Sequence, residues 1–99
     1  MERHTKIYLD FFDIAYSPET GEYEPRKCEY CEKRIIIDVH HIDNKGMGGS
    51  DEKDYIENLI GLCRVCHDDA HDEQISKEAL IRKHKFKMRM AEIHKFLYL

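Results

Sequence analysis

Apolar and polar positions change their period along this chain, and the changes outline its elements. Residues 4–16 place Ile7, Leu9, Phe11, Phe12, Ile14 and Tyr16 at mixed spacing, compatible with a short helix or an extended arm. Ser17-Pro18-Glu19-Thr20-Gly21 reads as a turn. Arg34 to Ile42 is dense in β-branched residues and reads as a strand. A polar stretch, 43–50, follows with Gly46, Gly48 and Gly49 in it. Tyr55 to Leu62, with Asn58 inside it, reads as the returning strand of a hairpin. Cys63 to about Asp72 should form a helix, and 76–97 a longer one that Ser76 can cap. In that last helix Ala79, Phe86, Met90, Ile93 and Leu97 form an apolar stripe, which predicts packing onto the hairpin. The fold class is therefore α+β, in one domain. It divides into an N-terminal arm (1–25), a core built on the hairpin (26–75) and a basic C-terminal helix (76–99).

Composition narrows this picture. Of 99 residues 41% are apolar and ten are aromatic, enough for a thin core and too many for wholesale disorder. No apolar run approaches the roughly 18–20 residues that span a membrane. The first residues, Met1-Glu2-Arg3-His4-Thr5-Lys6, do not read as a signal peptide, so the expected location is the cytoplasm. The net charge of −4 is unevenly spread: 76–99 hold seven Lys/Arg against two Glu, and 1–75 hold nine against eighteen Asp/Glu. The tail can meet phosphates, or it can simply be a solvated helix face. The acidic body would repel phosphates unless metal ions offset its charge.

Four cysteines form two pairs, Cys28-x-x-Cys31 and Cys63-x-x-Cys66. In a reducing compartment this spacing points to zinc before disulfides, since two intervening residues let both sulfurs of a pair reach one tetrahedral ion. Four thiolates would close a structural site with no open position for chemistry. Thirty-one residues separate Cys31 from Cys63, which fits a hairpin inserted between two knuckles. A redox C-x-x-C would leave the second pair unexplained. A Cys₂His₂ finger would need about 12 residues between its pairs, whereas 35 separate Cys31 from His67.

Four of the seven histidines are grouped. His40 and His41 adjoin on the predicted strand, where neighbours point to opposite faces. His67 and His71 lie four apart on the predicted helix, on one face. One histidine of the strand pair can therefore hold a metal while its neighbour faces a substrate.

The ordered set Cys28-x-x-Cys31, His40-His41-Ile42, Gly48-Gly49-Ser50, Asn58-Leu59 and Cys63-x-x-Cys66-His67, with His71 beyond it, resembles the HNH endonuclease family over residues 28–71. Any one segment would be weak evidence; the set in order is specific. The resemblance implies a ββα-metal (His-Me finger) fold with zinc knuckles, and a metal-dependent hydrolysis of DNA phosphodiester bonds. It implies His41 as the general base, because neutral imidazole accepts a proton at physiological pH. It implies His40 and His67, with His71 as an extra ligand, as holders of one catalytic divalent ion, and Asn58 as the residue that orients the base or touches the metal. The cysteines match members with a separate structural zinc. The catalytic ion could be Mg²⁺, Mn²⁺, Ni²⁺ or Zn²⁺. Double-stranded DNA with low sequence specificity is the implied substrate, with Lys83, Lys85, Lys87 and Arg89 as phosphate contacts. A phage-type packaging or replication partner is a further implication of the resemblance. The loop glycines would let the backbone pass close to DNA, or serve a tight turn. A non-catalytic zinc module that binds DNA or protein, a nuclease active only with a partner, and a nuclease for RNA remain the competing readings.

Overall fold

The computed structural model describes residues 1–44 and 51–98. The reading of Gly46 to Ser50 as a loop that approaches DNA lies outside the described residues. Helix α1 spans Arg3–Phe11, strand β1 Asp38–His41, strand β2 Leu59–Leu62, helix α2 Arg64–His71 and helix α3 Lys77–Tyr98. No helix is long and apolar enough to cross a membrane, among the described residues.

β1 and β2 pair antiparallel, with Asp38 opposite Leu62, Val39 opposite Gly61, His40 opposite Ile60 and His41 opposite Leu59. The two strands are shorter than the runs that announced them. Residues 34–36 leave the ladder, and Ile35 makes an isolated bridge to Lys27 instead. Asn58 ends a 3₁₀ turn, Ile56–Asn58, just ahead of β2.

All four residues of β2 are buried, because this small sheet is covered on both faces. On one face Ile60 and Leu62 join Ile42, Cys63, Cys66 and Leu80 in a cluster that includes the cysteines. On the other, Val39 and Leu59 pack with Tyr8, Leu9, Ile14 and Ile36. Helix α1 thus seals one side of the hairpin. Its approach is close: a Cβ on Gly61 would stand 2.6 Å from the Tyr8 hydroxyl and 2.6 Å from Ile36 Cδ1, so that position requires glycine.

Helix α3 starts as its sequence indicates, with Ser76 Oγ accepting a hydrogen bond from the N–H of Ala79 at 3.1 Å. Its rotation differs from the expected one. Ala79 packs against the core cluster, but Phe86, Met90, Ile93 and Leu97 are exposed by 64%, 47%, 45% and 65%, so the rest of the apolar stripe does not pack onto the hairpin. Leu80 and His84 are the buried residues of α3, and further along Lys95 reaches the carbonyl of Phe11 at 2.6 Å. The row 80–84–91–95 lies roughly 140° around the helix from the stripe.

The cause is a buried polar junction. His84 Nδ1 lies 2.9 Å from Glu29 Oε1, and its Nε2 lies 2.6 Å from the carbonyl of Ile56. With acceptors at both nitrogens the ring is a double donor, hence an imidazolium. Glu29 Oε2 also accepts from the Tyr8 hydroxyl and from the N–H of Gly61. One carboxylate therefore links α1, β2 and α3, and three partners satisfy it where solvent cannot. Burial pushes the Tyr8 hydroxyl well above its ordinary range, and the Glu29 charge adds to that.

Removing one partner of a buried pair strands the other, at about 3–5 kcal/mol. His84→Ala is accordingly expected to lower the urea-unfolding free energy by that amount near pH 6. Burial works against the charge of His84, but the hydrogen bond and charge of Glu29 outweigh it, so its pKa is raised. The contribution is complete below the unfolded value of about 6.5 and fades as pH rises through the folded one. The gap between wild type and variant should therefore narrow with rising pH. A loss within the range of surface substitutions, about 0.5 kcal/mol, would mean that the junction does not hold α3.

Candidate active site

The four cysteines converge where the knuckle at 28–31 meets the end of β2. Their sulfurs all lie within 4.8 Å of one another, and Cys31 Sγ is 3.8 Å from Cys63 Sγ. A tetrahedron of sulfurs about 2.3 Å from a zinc ion has edges of about 3.8 Å, so the donor set fits zinc and not a disulfide. Local hydrogen bonds prepare it. The N–H of Cys66 donates to Cys63 Sγ, which thereby caps α2, and the N–H of Lys33 donates to Cys31 Sγ. The Lys33 amide pulls the Cys31 thiol down to about 6, whereas burial pushes Cys28 and Cys66 up. Arg34 stands beside Cys63 and Cys31, where its charge offsets that of the thiolates.

The histidine pair is divided by the pleat of β1. His40 turns toward α2, where its ring meets that of His67 edge-on at 5.1 Å between centroids. Burial first, then the nearby His67 and His41, push His40 down to about 4, which keeps its imidazole neutral and able to ligate. His67 Nε2 is 3.5 Å from Asp38 Oδ2. Its Nδ1 is buried without a hydrogen-bond partner, the one side-chain atom so placed among the described residues. An orphaned ring nitrogen beside a neutral histidine is a donor set that a divalent ion satisfies. His71, one turn on, lines an open cleft of about 390 Å³ together with His40, His41, Glu73, Ser76 and Lys77. The donor atoms of His40, His67 and His71 do not form a group within 4.8 Å, as the cysteines do.

His41 turns the other way, toward α1. Its Nε2 lies 2.7 Å from Asp54 Oδ1, and its ring is 4.5 Å from that of His4. Asp54 is set there by Asn58. The buried Asn58 amide donates to the carbonyls of Asp43 and Lys53 at 3.0 and 3.1 Å, and its oxygen accepts from the N–H of Asp43 at 2.8 Å. The asparagine thus ties Asp43 to Lys53, the residue just before Asp54. In the sequence Asp54 is one acid in a charged run and His4 one residue of an unassigned arm, so neither carries a local signal.

The basic residues of α3 are unequal. Lys83 lies over the Tyr30 ring at 5.7 Å and Lys87 is 3.8 Å from Glu32, so both face the knuckle. Lys85 and Arg89 are exposed, about one and a half and two and a half turns beyond the cleft residue Leu80.

Residues 28–73 match the family model described as HNH endonuclease. No curated protein and no solved structure matches the chain.

Proposed function

We propose, from the match of residues 28–73 to the HNH endonuclease family model, that this chain hydrolyses phosphodiester bonds in double-stranded DNA. The observation that carries the reading is the division of labour across β1: His40 meets His67 while its neighbour His41 meets Asp54. A hydrolytic site needs both a ligand set and a base, on adjacent positions but not competing for one ion. We read 1–99 as one nuclease domain in which α1 and α3 flank the zinc-stapled core.

In this mechanism His41 is the general base. Its Nε2–H donates to Asp54, which leaves the Nδ1 lone pair to take a proton from the attacking water. Asp54 is a positioning residue: it fixes the tautomer and favours the imidazolium as the proton arrives. Asn58 acts one step further back by fixing Lys53, the residue before Asp54. His40 and His67, with His71 from the cleft wall, would hold the catalytic divalent ion. That ion would supply charge neutralisation at the phosphate and assistance to the leaving 3′ oxygen. The four-cysteine zinc is separate and structural.

The reading is tested by incubating supercoiled plasmid with Mg²⁺, Mn²⁺, Ni²⁺ or EDTA. Nicking that needs the ion and disappears in His41→Ala supports it. Tightly held zinc with no nicking in any ion would favour the binding-module alternative.

Lys85 and Arg89 are the strongest candidates for non-specific phosphate contacts, with Lys83 and Lys87 contributing less because they face the body. Each phosphate contact adds about −0.9 to the slope of log affinity against log salt. Reversing both charges, Lys85→Glu with Arg89→Glu, should flatten that slope by about 2 units. An unchanged slope would remove α3 from the interface.

A further inference from the structure

Two groups of donor side chains converge to ligand distance among the described residues, and the second is not explained by the zinc staple or by the His40–His67 pair. His4, His41 and Asp54 offer ligand atoms that all lie within 4.8 Å of one another. They come from three separate segments: α1, the end of β1 and the loop ahead of β2. All three are half-buried, with the His41 and Asp54 side chains exposed by 14% and 9%. Such a site is held by the fold and is still reachable by an ion.

We propose that His4, His41 and Asp54 form a second divalent transition-metal site, whose occupation removes His41 from catalysis. Two imidazoles and one carboxylate suit Zn²⁺, Ni²⁺ or Co²⁺ far better than Mg²⁺, and three protein ligands leave positions for water. Asp54 has an oxygen to give: Oδ1 faces His41, while Oδ2 lies 3.7 Å from Arg3 Nε. Arg3 is 61% exposed at its side chain, so it weakens the site without closing it. An ion would enter where the His41–Asp54 hydrogen bond now lies.

The chemistry of inhibition follows from the tautomer. A neutral imidazole that binds an ion through Nε2 carries its proton on Nδ1. That proton occupies the nitrogen assigned to the attacking water, so the ion and the base function exclude each other. No net proton change is needed, since the Nε2 proton leaves and Nδ1 gains one. The consequence for cleavage rests on the proposed nuclease reading; the site itself does not.

The first test is therefore binding, with zinc alone as the probe. In a chain carrying His40→Ala, His67→Ala and His71→Ala, equilibrium dialysis should find about two zinc ions per chain, one of them at the cysteines. Adding His4→Ala should leave about one, and retention of that one reports an intact staple. A single zinc before His4 is touched overturns the proposal. A second measurement needs no variant: in the wild type saturated with zinc, the ring-nitrogen resonances of His4 must shift, and an unshifted His4 overturns it equally. The functional arm adds zinc to Mn²⁺-supported cleavage. The wild-type rate should fall while His4→Ala holds its own zinc-free rate. Equal inhibition of both would place zinc at His40 and His67 and sink the inhibitory role. If no ion supports cleavage at all, the nuclease reading fails, and the dialysis still decides whether the site exists.

Discussion

Serine at Cys63 and Cys66 is expected to leave a chain that does not fold. Both cysteines are buried with Cys28 in the cluster that joins β2, α2 and α3, beside Ile60, Leu62 and Leu80. A zinc ion held by the four cysteines would clamp the knuckle to the start of α2, across 31 intervening residues of chain. Structural zinc contributes on the order of 10–16 kcal/mol in small domains. A whole domain is stable by about 5–15 kcal/mol, so the ion accounts for a share as large as the total. Without it, the thiolates that remain lose their counter-charge and the link between the knuckle and α2 is gone, even though serine at 63 can still cap that helix. Circular dichroism should show most helix gone in the variant at any zinc concentration. The wild type stripped by a strong chelator should unfold likewise and refold on adding zinc, while Mg²⁺ should not restore it. The serine variant separates this staple from the catalytic ion, which a chelator would also remove. A variant that keeps cooperative thermal unfolding near the wild-type temperature would show that the two apolar clusters suffice alone.

What could be read from sequence follows the range of the interactions. The cysteine pairs were legible because metal ligation imposes a local spacing, and the histidines of β1 because a strand alternates its faces every residue. The hairpin was legible from β-branched density, although its paired core is shorter than that run. The rotation of α3 was not legible. It is set by Glu29 and His84, which are 55 residues apart and look like two surface charges in the sequence. The apolar stripe of α3 gave the stronger local signal, and one buried ion pair with Tyr8 and Gly61 attached to it overrode that signal. Asp54 was hidden for a similar reason. Its partner is 13 residues away, and its position depends on Asn58 holding the Lys53 carbonyl. An asparagine with a buried amide ahead of a strand marks a loop to be held in place, but not which side chain that loop presents.

His41→Ala is expected to reduce cleavage by about 10²–10⁴-fold, the usual contribution of a positioned general base. Fold and zinc content should be unchanged, because the ring is held by Asp54 and His4 and lies outside both apolar clusters. The informative comparison is with His67→Ala. Losing a ligand weakens ion binding, so higher Mn²⁺ should recover part of the rate by mass action. Losing the base cannot be offset that way, and His41→Ala should stay inactive across the same ion range. Asp54→Asn supplies the intermediate case. The amide can still accept from Nε2–H but no longer favours the imidazolium, so kcat should fall less than in His41→Ala with KM for DNA unchanged. Asp54→Glu, which restores the charge, should recover part of that loss. Wild-type rates in His41→Ala would move the base to another group. Recovery of His41→Ala by added Mn²⁺ would instead make His41 a ligand, and would reverse the roles assigned to the two faces of β1.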